Sequence, residues 1–255
     1  MCRVLDALTG VDRSAPAMDQ RLVVTNRTQP EPVQRLLEAA FEGQSVEVSD
    51  VELPGATDDI VLLLRNEEIV ASSPLRELMD SYLLINSDQY LTGGVDLDRF
   101  EPPAVIAGLD ETVFEVRGYP ITNKGKFVLI VMSRYIEARA LRRGVGTLRA
   151  TFQDLSRIAD EVGTHDVYRG LAEADVDVHV YGTPSEVPDD LDVTPHVGSH
   201  DGYRKSWCVV FTPPPGETGH AALVAVEKEP NAWLGTWTYR PDSVERVDAI
   251  LADDF

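Results

Sequence analysis

The sequence predicts an α+β fold, with an antiparallel sheet flanked by helices in the C-terminal half and a smaller α/β region in the N-terminal half. Three observations carry this. The segments SWCVVFT, AALVAVE and AWLGTWTY follow one another closely between Ser206 and Tyr239, which suits antiparallel neighbours. Helical runs precede them, and PDSVERVDAIL follows as one more. The 255 residues, 43% hydrophobic and 26% charged, are enough for one large core or two small ones.

Residues 18–123 make up the N-terminal α/β region. TQPEPVQRLLEAAF suits a helix, because its prolines fall in the first turn and Leu36, Leu37, Ala40 and Phe41 recur at helical spacing. Gly43 ends it. SVEVSDVEL alternates as a half-buried strand, and DIVLLLRNEEIVASS reads as two strands turning at Asn66 and Glu67. Ser73 and Pro74 open a helix over PLRELMDSYLL. Asp88 to Pro103 is turn-rich, and ETVFEVRGYP is a strand closed by Gly118 and Pro120. The opening MCRVLDALTGVDRSAPAM lacks a basic, then long apolar, secretory pattern. Residues 1–17 therefore read as a non-native or disordered extension, with Met18 the natural start.

ITNKGK links the halves, and residues 126–251 form the second module. One helix is expected from about Lys126 to Arg143, apolar for two turns and then charged, which suits either a two-fold contact or the core. Gly144 and Gly146 break it. Thr147 caps a second helix with Leu148, Phe152, Leu155 and Ile158 as its buried stripe. Thr164 caps a third that turns Tyr168 and Leu171 inward. DVDVHVYG alternates with Val176, Val178 and Val180 on one face. Ser185 to Lys205 reads as a long polar loop.

The formal charge is −20, from 24 Asp and 19 Glu against 19 Arg and 4 Lys. Acidity with lysine nearly absent reads as halophilic adaptation to a cytoplasm at molar salt, where charges are screened within about 3 Å. No basic stripe exists to neutralise phosphates, so nucleic acid is not an expected partner. Two cysteines, Cys2 and Cys208, make no disulfide framework, and no apolar run approaches the ~18 residues of a membrane span. A cytoplasmic protein is expected.

No GxGxxG, GxxxxGK[ST] or HExxH pattern occurs, nor any histidine-kinase phosphoacceptor or ATP box. His196 and His200 are four apart but lie in loop sequence, so no metal site is expected. No serine sits in a nucleophile elbow. A ligand pocket is the better reading. Arg134, Tyr135 and Glu137 on the first helix, with Gln153, Trp207 and Trp237, are its candidate lining: Arg134 as an anion anchor, the tryptophans as stacking walls. The same residues also fit a structural reading, with the tryptophans in the core and Arg134 and Glu137 bridging a helix face.

The order and spacing of SRYIE, FQDLSRI, VYRGLAEADVDVHVYG, SWCVVFT, AALVAVE and GTWTY before PDSVERVDAIL resemble the DICT sensory domain. DIVLLLRNEEIVASSPLREL and LLINSDQYLTGG are similar to a DICT protein type of salt-loving archaea labelled kinase-related, although this chain has no kinase core. The resemblance implies signal input within two-component or related pathways. A kinase or transcriptional regulator would then be the partner in trans, with a small-molecule ligand or a homodimer as further expectations. It implies no catalytic residues and names no cofactor. A ligand-free interaction adaptor and a small enzyme of unknown type are the rival readings.

Overall fold

The computed structural model describes residues 20–42, 44–86, 100–117, 127–160, 162–230 and 232–255. The extension read over residues 1–17 and the linker ITNKGK lie outside them. The strands are β1 (Gln20–Thr25), β2 (Val46–Val51), β3 (Ile60–Arg65), β4 (Glu68–Pro74), β5 (Phe114–Arg117), β6 (Val145–Asp154), β7 (Asp175–Thr183), β8 (Thr194–Val197), β9 (Ser206–Thr212), β10 (Ala221–Glu229) and β11 (Ala232–Thr238). The helices are α1 (Glu31–Phe41), α2 (Leu75–Asn86), α3 (Ala104–Ala107), α4 (Phe127–Arg143), α5 (Arg157–Asp160), α6 (Val162–Glu173), α7 (Asp201–Lys205) and α8 (Pro241–Asp254). The fold is α+β.

A four-stranded sheet, ordered β2-β1-β3-β4, is built from the N-terminal residues. Its central strand β1 pairs parallel with β2 through the crossover helix α1 and antiparallel with β3. RLVVT carries no clear element signal in the sequence. It is a short apolar run without a turn signal in front of it, and its sheet position comes from partners more than 20 residues away. The β3–β4 hairpin turns at Asn66 and Glu67, as expected, with both residues at positive φ.

The larger sheet has seven strands in the order β5-β11-β10-β9-β6-β7-β8. The expected antiparallel neighbours β9, β10 and β11 are there. The sheet as a whole is mixed, because β6, β7 and β8 run parallel to one another. Its edge strand β5 comes from before the ITNKGK linker and pairs with β11.

Three sequence expectations are corrected. The second helix, over Thr147 to Ile158, is strand β6 followed by the short α5, and Thr147 pairs with Thr212 in the ladder rather than capping a helix. The Ser185–Lys205 segment carries β8 and α7 rather than forming one loop. The third helix starts at Val162, so Thr164 lies inside it.

Both faces of the large sheet are covered. On one, Leu148, Val209, Leu223, Trp233 and Trp237 pack beneath α4 and α6. Gly235 lets α4 approach closely, since a Cβ there would meet Leu129 at 2.8 Å. On the other face, Tyr181, Cys208, Val210 and Val224 pack against Val244, Val247 and Leu251 of α8. The apolar turns of α4 (Val128, Leu129, Val131, Met132 and Ile136) are thereby buried in the core of the chain itself. Among the described residues no helix is long and apolar enough to cross a membrane.

Candidate functional site

A cavity of about 350 Å³ lies between α4, α6 and the face of the sheet formed by β6, β9, β10 and β11. That is within the size range of small-molecule sites. The strands deliver its walls by simple alternation. Ala150 opposes Val209 across β6 and β9, and Ala225 opposes Trp207 across β10 and β9, so these side chains share one face. Trp233 arrives on the same face from β11, and its ring meets Trp207 edge-on at 6.3 Å. Phe152 lies edge-on to Tyr168 at 5.2 Å. Such aromatic pairs add packing energy beyond the area they bury.

A chain of buried polar groups forms the floor. Arg134 donates through Nη1 to Glu137 Oε2 at 2.8 Å and through Nη2 to Thr164 Oγ1 at 2.7 Å. The Tyr168 hydroxyl donates to the other oxygen of Glu137 at 3.3 Å. Burial and the neighbouring Glu137 carboxylate push the Tyr168 hydroxyl well above the ordinary tyrosine range. Trp207 Nε1 donates to Ser133 Oγ at 3.0 Å, and Ser133 donates in turn to the Leu129 carbonyl at 2.9 Å. Each of these groups has a partner inside the chain, which is what burial requires.

Gln153 stands where β6 leaves its regular pairing. The β6–β7 register jumps from Thr151 opposite Tyr181 to Asp154 opposite Thr183, so Phe152 and Gln153 face Gly182 alone. Gln153 has a φ of +56°, unusual for a residue with a side chain. Its amide donates to the Ser206 carbonyl at 2.6 Å and accepts from Arg157 Nη1 at 2.6 Å. Asp154, next along, is held well below the usual carboxylate range by hydrogen bonds from Ser156, Ser185 and Thr183. It ties the start of the 184–193 segment to the bulge.

Of the six candidate residues, the structure brings Arg134, Glu137, Gln153 and Trp207 to this cavity. Two stand elsewhere. Trp237 is fully buried, stacked on Phe114 at 5.1 Å, with Nε1 donating to the Ala107 carbonyl at 3.4 Å. Tyr135 points away from the cavity to meet Tyr239 edge-on and accept from Arg139 Nη1 at 3.0 Å. Arg134 is engaged by Glu137 and Thr164, which fits its structural reading as a helix-face brace. Trp233 is a wall absent from the sequence-predicted lining, although the alternation in AWLGTWTY places it on the face of Trp237. Arg157 and Arg204 carried no sequence signal, since nothing local distinguishes them from other surface arginines.

Three of the histidines are engaged with neighbouring groups. His179 and His196 pair with each other, Nδ1 to Nε2 at 2.9 Å, and His200 caps α7 by accepting from the Gly202 N–H. Among the described residues no group of three or more His, Cys, Asp or Glu is placed to hold a metal ion.

No model of a known protein family matches the chain, and no curated protein matches it. The functional reading therefore rests on the cavity and on the sequence.

Proposed function

We propose that this chain is a non-enzymatic sensory protein of the DICT type, acting in the cytoplasm. It takes a small molecule into the cavity beneath α4 and α6 and relays the change to a separate kinase or regulator. The observation that carries the reading is the cavity itself: three aromatic walls around a polar floor whose groups already have internal partners. Ser133, Thr164 and Tyr168, the hydroxyls nearest the floor, are engaged with a carbonyl, a guanidinium and a carboxylate. Ser133 has no carboxylate or imidazole partner among the described residues to take a proton. The carboxylate that faces Tyr168 is already paired with Arg134, an arrangement that supports binding over nucleophilic chemistry.

A ligand-free adaptor is the second reading, favoured by one observation. Edge strand β4 exposes Ile69 and Val70, at 62% and 46%, on a sheet edge that no other strand pairs with among the described residues.

Native mass spectrometry with an absorbance spectrum, on protein purified in high salt, tests the proposal. A bound small molecule of stoichiometric mass is the expected result. An apo mass together with recovery of a stoichiometric protein partner in a high-salt pulldown would move the assignment to the adaptor.

A further inference from the structure

The two exposed side chains among the cavity's lining are both arginines, Arg157 from α5 and Arg204 from α7. On a chain of net charge −20 this is a local reversal of sign. Neither guanidinium is strongly committed. Arg204 faces Asp201 at 3.7 Å, with both side chains about half exposed, and a surface pair of that kind holds little. Arg157 donates to the neutral amide of Gln153 and has no salt bridge among the described residues. The left-handed backbone of Gln153 is what sets that amide between the Ser206 carbonyl and Arg157. Backbone strain of this kind concentrates at functional positions.

Deeper in, the chemistry changes. The walls are the flat faces and edges of Trp207, Trp233 and Phe152, and the Glu137 carboxylate is occupied by Arg134 and Tyr168. Half-buried Glu227 adds one carboxylate to the lining, against the two rim cations. A cationic ligand would meet arginines at the entrance and a spent carboxylate at the floor. A neutral ring would leave the rim unused.

Resting on the cavity reading above, we propose that the ligand is a planar aromatic anion. Its ring lies against Trp207 and Trp233, and its carboxylate, sulfonate or phosphate is held at the rim by Arg157 and Arg204. Arginine forks suit such groups because they can donate two parallel N–H bonds to one anion.

Two fluorescent probes sharing a ring system test this: anilinonaphthalene sulfonate, which is anionic, and phenylnaphthylamine, which is neutral. Each is titrated into the folded chain at one fixed salt concentration and read by energy transfer from tryptophan. The sulfonate is expected to bind one to one and about tenfold or more tighter than the neutral probe, the gain of a charge-assisted contact. The protein's overall charge would favour the opposite order. In the double variant Arg157→Gln/Arg204→Gln the sulfonate should lose that advantage while the neutral probe is unchanged. Both positions are exposed, so circular dichroism should be unaltered. Equal affinity of the two probes in the unmodified protein, or a double variant that binds the sulfonate as well as before, would overturn the anion assignment and leave the cavity reading standing. Failure of both probes to saturate at one site would overturn both.

Discussion

Arg134 and Glu137 sit one turn apart on α4 and form an ion pair of 2.8 Å, with side chains only 9% and 5% exposed. Two charges so far from water are tolerated because Thr164 and Tyr168 complete their hydrogen bonding. Removing one partner leaves the other buried and uncompensated. Glu137→Ala or Arg134→Ala should each cost about 3–5 kcal/mol, while the double replacement Arg134→Met/Glu137→Leu should cost clearly less than the two singles added. Denaturant unfolding at fixed salt measures this. Additive losses would mean that the pair is not coupled.

Trp207 and Trp237 share a sheet face but differ in role, and their variants should separate. Trp237 is fully buried against Phe114, so Trp237→Ala should cost about 3–5 kcal/mol and leave probe binding intact in whatever fraction remains folded. Trp207 is half-buried at the cavity. Trp207→Phe should cost only about 1 kcal/mol, from the lost hydrogen bond to Ser133, yet sharply weaken binding of an aromatic probe. Thermal melts and a probe titration on the same samples distinguish the two.

Gly146 and Gly144 predict another contrast. Both have positive φ, at +127° and +67°, but their surroundings differ. A Cβ at Gly146 would meet the Thr212 carbonyl oxygen at 2.7 Å and the Phe211 ring at 2.9 Å, whereas at Gly144 the nearest atom is 3.9 Å away. Gly144→Ala should cost about 1 kcal/mol, for conformation alone. Gly146→Ala should cost about 2–3 kcal/mol, because β6 must also move away from β9. Equal losses in denaturant unfolding would refute the close approach.

Those glycines also explain where sequence reading failed. Leu148, Phe152, Leu155 and Ile158 do recur at helical spacing, and Gly144 and Gly146 look like a helix break. The strand beneath also carries a period of two, since Leu148, Ala150 and Phe152 alternate with Arg149, Thr151 and Gln153, but the helical match competes with it and the polar side is engaged by neighbouring elements. Arg149 reaches Asp248 on α8 at 2.9 Å, and Thr151 accepts from the Cys208 N–H at 2.8 Å. Leu155 and Ile158 belong to the turn and short helix that follow. β7, with Val176, Val178 and Val180 all buried, is legible because the same period of two runs strictly from Asp175 to Val180 with no competing helical stripe. The hairpin at Asn66, the strands from Ser206 onward and α8 were legible for the same reason, being local patterns with local partners. At the site, Arg134, Glu137 and Trp207 were visible as residue types out of place on apolar elements. The rim arginines were not, since only the tertiary fold brings α5 and α7 to one opening.

The pairing of His179 with His196 predicts how stability responds to mild acid. His196 stacks on Tyr181 at 4.4 Å, nearly parallel, and Tyr181 accepts from Arg149. Burial lowers the pKa of His196 first, and the positive charges of His179 and Arg149 lower it further, with Asp177 opposing. The folded value lies below that of the unfolded chain, which is about 6.5. The unfolded state therefore takes up a proton first as pH falls. The stabilisation is fully present above about pH 6.5 and is lost as the pH drops through the folded value. Replacing His196 with Phe keeps a ring against Tyr181 and removes the proton. Stability of the unmodified protein should decline between about pH 7 and pH 5, and that of His196→Phe should decline less. Asp154 does not blur the comparison, because its carboxyl is held well below the usual range and its contribution is lost only as the pH falls below about 5. Parallel curves for the two proteins across that window, measured by denaturant unfolding, would show that His196 does not carry the effect.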